Sequence, residues 1–145
     1  MTEQTYERLA LAKEQLDVAL SLLLEHQSYA SAITLAGAAE EIFGRALTLR
    51  GETSAVDSSY ATMSDFNNRL FGEELNKKSY VEQENYARNA LKHLQEDKGP
   101  TITIDLEDAA CWMLVRALKN AQTLGIEVEL EREFNNWFYK NIVGV

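Results

Sequence analysis

The chain has 145 residues, 46% of them apolar, and a formal net charge of −9 at pH 7. This length fits one domain, 1–145, with a hydrophobic core of its own. Nonspecific binding to nucleic acid depends on cations that displace counterions from phosphates, so the acidic balance excludes binding of RNA or DNA by the whole surface. The single cysteine, Cys111, excludes an intrachain disulfide and favours a reducing compartment.

The N-terminal segment 1–5 has no basic stretch followed by an apolar run, so we expect no signal peptide. No stretch of the chain reaches the roughly 18 apolar residues that cross a membrane. These two features predict a soluble, cytoplasmic protein without membrane contact.

The first predicted helix covers residues 3–25. Its apolar residues recur at helical spacing on one face: Leu9, Ala12, Leu16, Ala19, Leu20 and Leu23. A second apolar flank consists of Leu11, Val18 and Leu22. Such a wide apolar surface predicts a helix packed on two sides, by the core and by a second subunit.

The second predicted helix covers residues 28–49, with Ser28 as its cap and Gly51 at its end. Its stripe is rich in alanine, which permits a close approach of another helix. Because the link to the first helix is short, we expect an antiparallel hairpin. Glu40 lies at the edge of the apolar stripe.

Residues 51–79 are rich in Ser, Asp and Thr, which predicts a long loop. A short helix within 63–75 would carry Phe66, Leu70 and Phe71. We expect this segment to bulge over one end of the bundle.

Three further helices are predicted, at 80–94, 105–124 and about 129–142. Gly99-Pro100 ends the first of them, and Asp105 can cap the second. The third is a short, strongly amphipathic C-terminal helix. The fold class predicted from these elements is all-α: an antiparallel four- to five-helix bundle, with a long loop or short helix between helices two and three.

The sequence lacks the residues that several kinds of functional site require. A di-iron bundle needs Glu-x-x-His motifs, whereas Leu23 and Ala90 stand three residues before the two histidines, His26 and His93. One cysteine and two distant histidines cannot form a zinc site, and there is no glycine-rich phosphate loop. We therefore expect no metal and no cofactor, and we interpret Cys111 as a small core residue.

The segment Arg88-Asn89-Ala90-Leu91-Lys92-His93 lies on the predicted 80–94 helix. On a helical wheel at about 100° per residue, one side is apolar and should face the core: Ala87, Ala90, Leu91 and Leu94. The opposite, polar side carries Asn85, Arg88, Asn89, Lys92 and His93. Because several glutamates lie nearby, the same pattern also fits an ordinary solvated helix face.

The polar side also has a chemical interpretation. Cleavage of an RNA phosphodiester by its own 2′-hydroxyl needs an acid or base that works near pH 7, which histidine supplies. It also needs a fixed cation for the extra negative charge on phosphorus, which arginine supplies. Arg88 and His93 flank the polar strip, and two copies that meet across a dimer axis would complete each other's sites.

The same segment resembles the motif of the HEPN superfamily, in which an arginine, often followed by a polar residue, precedes a histidine by four to six residues. The second helix, with Ala36-Gly37-Ala38-Ala39-Glu40-Glu41-Ile42-Phe43, adds to this resemblance, which covers about residues 5–125. The segment from Asn89 to His93 also resembles a set of uncharacterised bacterial helical-bundle proteins.

The resemblance implies a metal-independent endoribonuclease, toxin-like, that acts as a homodimer and is paired with an antitoxin or nucleotidyltransferase-like partner protein. It implies that Arg88 stabilises the phosphate, that His93 is the acid or base, and that Asn89 positions them. Asn85 and Lys92 are candidate RNA-binding residues. The alternative is a non-catalytic, dimeric helical module that binds a protein or a small ligand.

Overall fold

The computed structural model describes residues 1–94 and 96–144. Within them the chain forms seven α-helices and no strand, which confirms the predicted all-α class. The helices are α1 (Arg8–Leu24), α2 (Tyr29–Leu49), α3 (Ala55–Phe71), α4 (Lys77–Glu84), α5 (Tyr86–Lys92), α6 (Leu106–Thr123) and α7 (Glu131–Phe138). A 3-10 turn at Glu96–Lys98 and a π turn at Tyr139–Val143 complete the described elements.

The core lies between α1, α2 and α6. These three helices follow the predicted periodicities, and α2 packs extensively against both of the others. Phe43 on α2, Leu16 and Leu20 on α1, and Leu114 on α6 are fully buried. The C-terminal helix α7 closes the core with Phe134, which is 1% exposed. The second apolar flank of α1 is largely open, because Leu11 and Val18 are exposed.

Helix α3 replaces most of the predicted loop at 51–79. It is 17 residues long, so the expected short helix within 63–75 was wrong in both length and position. Ser54 caps it by accepting a hydrogen bond from the backbone N–H of Asp57 at 3.3 Å, and Gly72 ends it with a φ of +73°. The polar residues that favoured a loop are the capping residues of a helix.

The predicted single helix at 80–94 is two helices that meet at Asn85. Asn76 caps α4 by accepting a hydrogen bond from the backbone N–H of Ser79 at 3.0 Å. Helix α5 ends at Lys92 because His93 has an extended backbone, with φ −128° and ψ 126°. The chain therefore leaves the helix before Leu94, which is 84% exposed rather than in the core as predicted.

Helix α6 begins where the sequence predicts. The carboxylate of Asp105 accepts a hydrogen bond from the backbone N–H of Asp108 at 2.9 Å, which confirms the predicted cap. Residues 99–104 come just before α6 and form no regular element. They connect α6 to the region that contains Arg88 and His93. The bundle thus holds α5 beside α2. The connecting segment 99–104 lies between α5 and α6 along the chain.

Candidate functional site

A buried carboxylate lies at the point where α2, α5 and α6 approach one another. Glu40 on α2 is 4% exposed. Its Oε1 accepts a hydrogen bond from Nη2 of Arg116 on α6 at 2.9 Å, and its Oε2 lies 3.8 Å from Nη1 of Arg88 on α5. A buried carboxylate is costly unless cations and hydrogen bonds compensate it, and here two arginines share that role.

Arg116 fixes the junction between α4 and α5. Its Nη1 donates to the backbone oxygen of Glu84 at 3.1 Å, and its Nη2 donates to Oδ1 of Asn85 at 3.0 Å. Asn85 is half-buried and its side chain is bound to α6. The prediction that Asn85 lies in an outward polar row was therefore wrong, because the helix breaks at this residue.

Asn120 extends the same polar cluster toward α3. It is fully buried, donates from Nδ2 to the backbone oxygen of Glu40 at 3.2 Å, and accepts from the backbone N–H of Ala55 at 2.7 Å. One side chain thereby ties the first residue of α3 to α2 and α6. Sequence reasoning missed Arg116 and Asn120, although both fall on the apolar stripe of α6 with Met113 and Ala117, where polar residues signal a buried contact.

Arg88 lies against α2 rather than in open solvent. Its side chain is 17% exposed, and its Nη1 is 3.5 Å from Oε2 of Glu41. The aliphatic part packs on Gly37, where a Cβ atom would come within 2.6 Å of Cδ of Arg88. Gly37 therefore makes room for the arginine. The guanidinium also reaches its neighbour, since Nε donates to Oδ1 of Asn89 at 3.4 Å.

His93 is exposed and stands at the end of α5. It lines a cavity of about 920 Å³ between α4, α5 and the connecting segment. Asn89 and Lys98 line the same cavity, as do Gln83 and Tyr86. The backbone at position 93 is extended, so His93 does not continue the helix.

The predicted site residues are thus only partly assembled. Arg88 contacts Asn89, and Asn89 shares a cavity with His93. Lys92 is exposed, and neither Lys92 nor Arg88 lines that cavity. Lys98 lines it, although the sequence analysis did not assign this residue to the site.

The part of the chain that the structure describes offers no site for a metal ion and no reactive thiol. Residues 1–94 and 96–144 contain no group of three or more His, Cys, Asp or Glu side chains that could hold a metal ion. Cys111 is fully buried, and burial raises the pKa of its thiol to about 12. At neutral pH the thiol is protonated, so it is a core residue and a poor nucleophile.

Comparisons with protein-family models, with curated proteins and with solved structures found no match to this chain. Within the described residues no helix combines the length and the apolar character needed to cross a membrane.

Proposed function

We propose that this chain is a HEPN-like domain that cleaves RNA without a metal ion and acts as a cytoplasmic, toxin-like homodimer. A partner protein, an antitoxin or a nucleotidyltransferase-like protein, would hold its activity in check. Arg88 and His93 carry the chemistry in this proposal, and Asn89 positions them.

The observation that supports the proposal is that Asn89 contacts Arg88 and lines the same cavity as His93. Asn89 accepts a hydrogen bond from Nε of Arg88 at 3.4 Å. In this proposal, a phosphate bound near Asn89 contacts the guanidinium of Arg88 and the imidazole of His93.

The proposed reaction needs no group beyond the RNA and the protein. The 2′-oxygen forms a bond to the adjacent phosphorus while the bond from phosphorus to the 5′-oxygen breaks. One His93 takes the proton of the 2′-hydroxyl, and the His93 of a second copy supplies a proton to the departing 5′-oxygen. Arg88 stabilises the additional negative charge on the phosphoryl oxygens.

The ion pairs of Arg88 are compatible with this role. Both N–O distances, 3.8 Å to Glu40 and 3.5 Å to Glu41, are longer than a normal hydrogen bond. Glu40 makes its short contact with Arg116 instead, and Glu41 is 69% exposed. A phosphate can therefore compete for the guanidinium of Arg88 without leaving Glu40 unpaired.

The test is cleavage of RNA in the presence of EDTA. The parent protein is expected to cut RNA, and Arg88→Ala or His93→Ala should each lower the rate by about 100-fold or more. His26→Ala is the matched control, because His26 is the other exposed histidine and lies at the end of α1. No cleavage by the folded parent protein, or equal rates for His93→Ala and His26→Ala, would contradict the proposal.

One observation favours a second candidate function, a non-catalytic dimeric module that binds a protein or small ligand. Arg88 is only 17% exposed and already has two carboxylate neighbours, as expected of a structural arginine. In this case Arg88→Ala destabilises the fold, no variant changes an RNA cleavage rate, and His93→Ala has no effect on either measurement.

A further inference from the structure

A second, slightly larger groove lies between α3, α4 and α6 and shares Ser79, Gln83 and Tyr86 with the cavity that His93 lines. Its volume is about 1010 Å³. Its apolar wall includes Met63 of α3, Tyr86 of α5 and Trp112 of α6, which are 45%, 46% and 48% exposed. Three large side chains, each about half open to solvent, thus face one groove. We call this surface the α3–α6 groove.

The apolar wall continues along α3 beyond the groove itself. Ser59 and Met63 line the groove, and Phe66 and Leu70 follow on the same face at spacings of three and four. Phe66 and Leu70 are 57% and 58% exposed. From residue 63 to residue 70 the helix rises about 10 Å, so this open stripe extends over about two helical turns.

Such an apolar stripe along a groove suits the apolar face of another helix, which presents side chains at i, i+3, i+4 and i+7. Exposed apolar side chains grouped on one face are typical of interaction surfaces. Of the residues of α3 from 61 onward, only Ser64 is buried. The outer half of this helix therefore contributes little to the core and is free to contact a partner.

The charges that line the groove decide which partner fits. Three acidic residues, Glu84, Asp105 and Asp108, line it together with two basic residues, Arg116 and Lys119. The guanidinium of Arg116 is already paired with Glu40, so the local balance is negative. The whole chain is also negative, at −9. At this groove a second copy of the acidic chain would gain no charge complementarity, whereas a cationic segment would be attracted.

We propose that the α3–α6 groove binds a basic amphipathic helix of a partner protein. The apolar side of that helix packs on Met63, Phe66 and Trp112, and its lysines or arginines face the carboxylates at the rim. The inference does not depend on RNA cleavage, because the groove shares neither Arg88 nor His93 with the proposed active site.

The experiment uses the full chain and a synthetic amphipathic peptide, with leucines at i, i+3, i+4 and i+7 and lysines at the remaining positions. A matched peptide carries glutamates in place of the lysines. Titration calorimetry should show binding of the lysine peptide that weakens as salt is added, and at least about tenfold weaker binding of the glutamate peptide. Equal affinities, or no binding of the lysine peptide, would overturn the proposal.

Variants then locate the binding site. Phe66→Ser and Leu70→Ser should each weaken binding of the lysine peptide by about fivefold or more, and Lys119→Glu should strengthen this binding. Leu49→Ser is the matched control, because Leu49 is 82% exposed and lies outside the groove. Circular dichroism verifies that each variant is folded. Unchanged affinity in both α3 variants rules out this groove.

Light scattering of the same variants tests the alternative that a second copy of the chain occupies the groove. The proposal predicts that Phe66→Ser leaves the oligomeric state of the parent protein unchanged. If the parent is a dimer and Phe66→Ser makes it a monomer, a second copy occupies the groove and the proposal fails.

Discussion

Arg116 and Glu40 form a buried ion pair that joins α6 to α2, with 2.9 Å between Nη2 and Oε1. The same guanidinium holds the backbone oxygen of Glu84 and the side chain of Asn85. One arginine therefore sets the position of the α4–α5 junction on the bundle. The helix that carries Arg88 starts from this junction, so the ion pair links the core to the proposed site.

Removal of the buried carboxylate should destabilise the protein strongly. Glu40→Ala leaves Arg116 buried without its counter-charge, which costs about 3–5 kcal/mol in comparable buried pairs. The free energy of unfolding, measured with urea and circular dichroism, gives the difference. Glu41→Ala is the control, since Glu41 is 69% exposed and an exposed pair contributes less than about 1 kcal/mol. A cost for Glu40→Ala no greater than that of the control would contradict this role.

The effects of Gly37→Ala and Arg88→Ala on the free energy of unfolding should not be additive, and a double-mutant cycle measures the difference. In the parent, the new Cβ would meet Cδ of Arg88 at 2.6 Å and Cγ at 2.9 Å, so the arginine side chain must shift. In an Arg88→Ala background the clash is absent, and alanine in place of helical glycine should stabilise the fold by about 0.5–1 kcal/mol. We expect a coupling of roughly 1 kcal/mol, and none for the control Gly44→Ala with Arg88→Ala.

The contact between α3 and α4 should show a dependence on pH. A hydrogen bond from Lys77, at 2.8 Å, lowers the pKa of Asp57, and the Ser54 hydroxyl adds to this effect against partial burial. Because the folded-state pKa lies below the unfolded value of about 3.9, the stabilisation is present at neutral pH. It is lost as the pH falls through the folded-state pKa.

Asp57→Asn should therefore lower the free energy of unfolding at pH 7, and the difference from the parent should shrink as the pH falls below about 4. Urea unfolding at several pH values measures both. Asp65→Asn removes a more exposed carboxylate of the same helix, paired with Arg69, and should have a smaller effect. A pH-independent difference for Asp57→Asn would show that the carboxylate charge is not the cause.

Cys111 should resist thiol reagents in the folded protein. Burial raises the pKa of its thiol to about 12, and the charges of Asp108 and Glu107 act in the same direction. Between pH 7 and pH 9 the thiol stays protonated, so we expect reaction with Ellman's reagent only at the rate of unfolding. Leu49→Cys supplies an exposed thiol as the control and should react at once. Equally fast reaction of the parent would contradict the buried position.

Hydrophobic periodicity was sufficient to predict α1, α2 and α6, because each buries a regular stripe in the core. It was insufficient for α3, whose apolar residues Phe66 and Leu70 stay exposed. A helix without a buried stripe is visible in the sequence only through its caps. Ser54 and Asp57 carried that signal, but they were interpreted as loop residues.

The site was predicted less well than the fold. A continuous helix over 80–94 placed Asn85, Asn89 and His93 in one row, whereas the helix breaks at Asn85 and ends at Lys92. The first change is tertiary in origin, because Arg116 holds Asn85. The second is a change of backbone conformation, which becomes extended at His93. A helical wheel assumes a continuous, uniform helix, so it cannot show the break at Asn85 or the extended backbone at His93. The contact between Arg88 and Glu40 links residues 48 positions apart in sequence, and local spacing does not predict such a contact.

The central claim is that His93 promotes attack by the 2′-hydroxyl of RNA. The most direct measurement incubates an RNA oligonucleotide and its all-deoxy counterpart with the parent protein in EDTA and identifies the new ends by mass spectrometry. We predict that the RNA alone is cut, with a 2′,3′-cyclic phosphate on the 5′ fragment, and that His93→Ala leaves it intact while His26→Ala does not. Intact RNA with the folded parent protein, or cleavage of the deoxy strand, would contradict the claim.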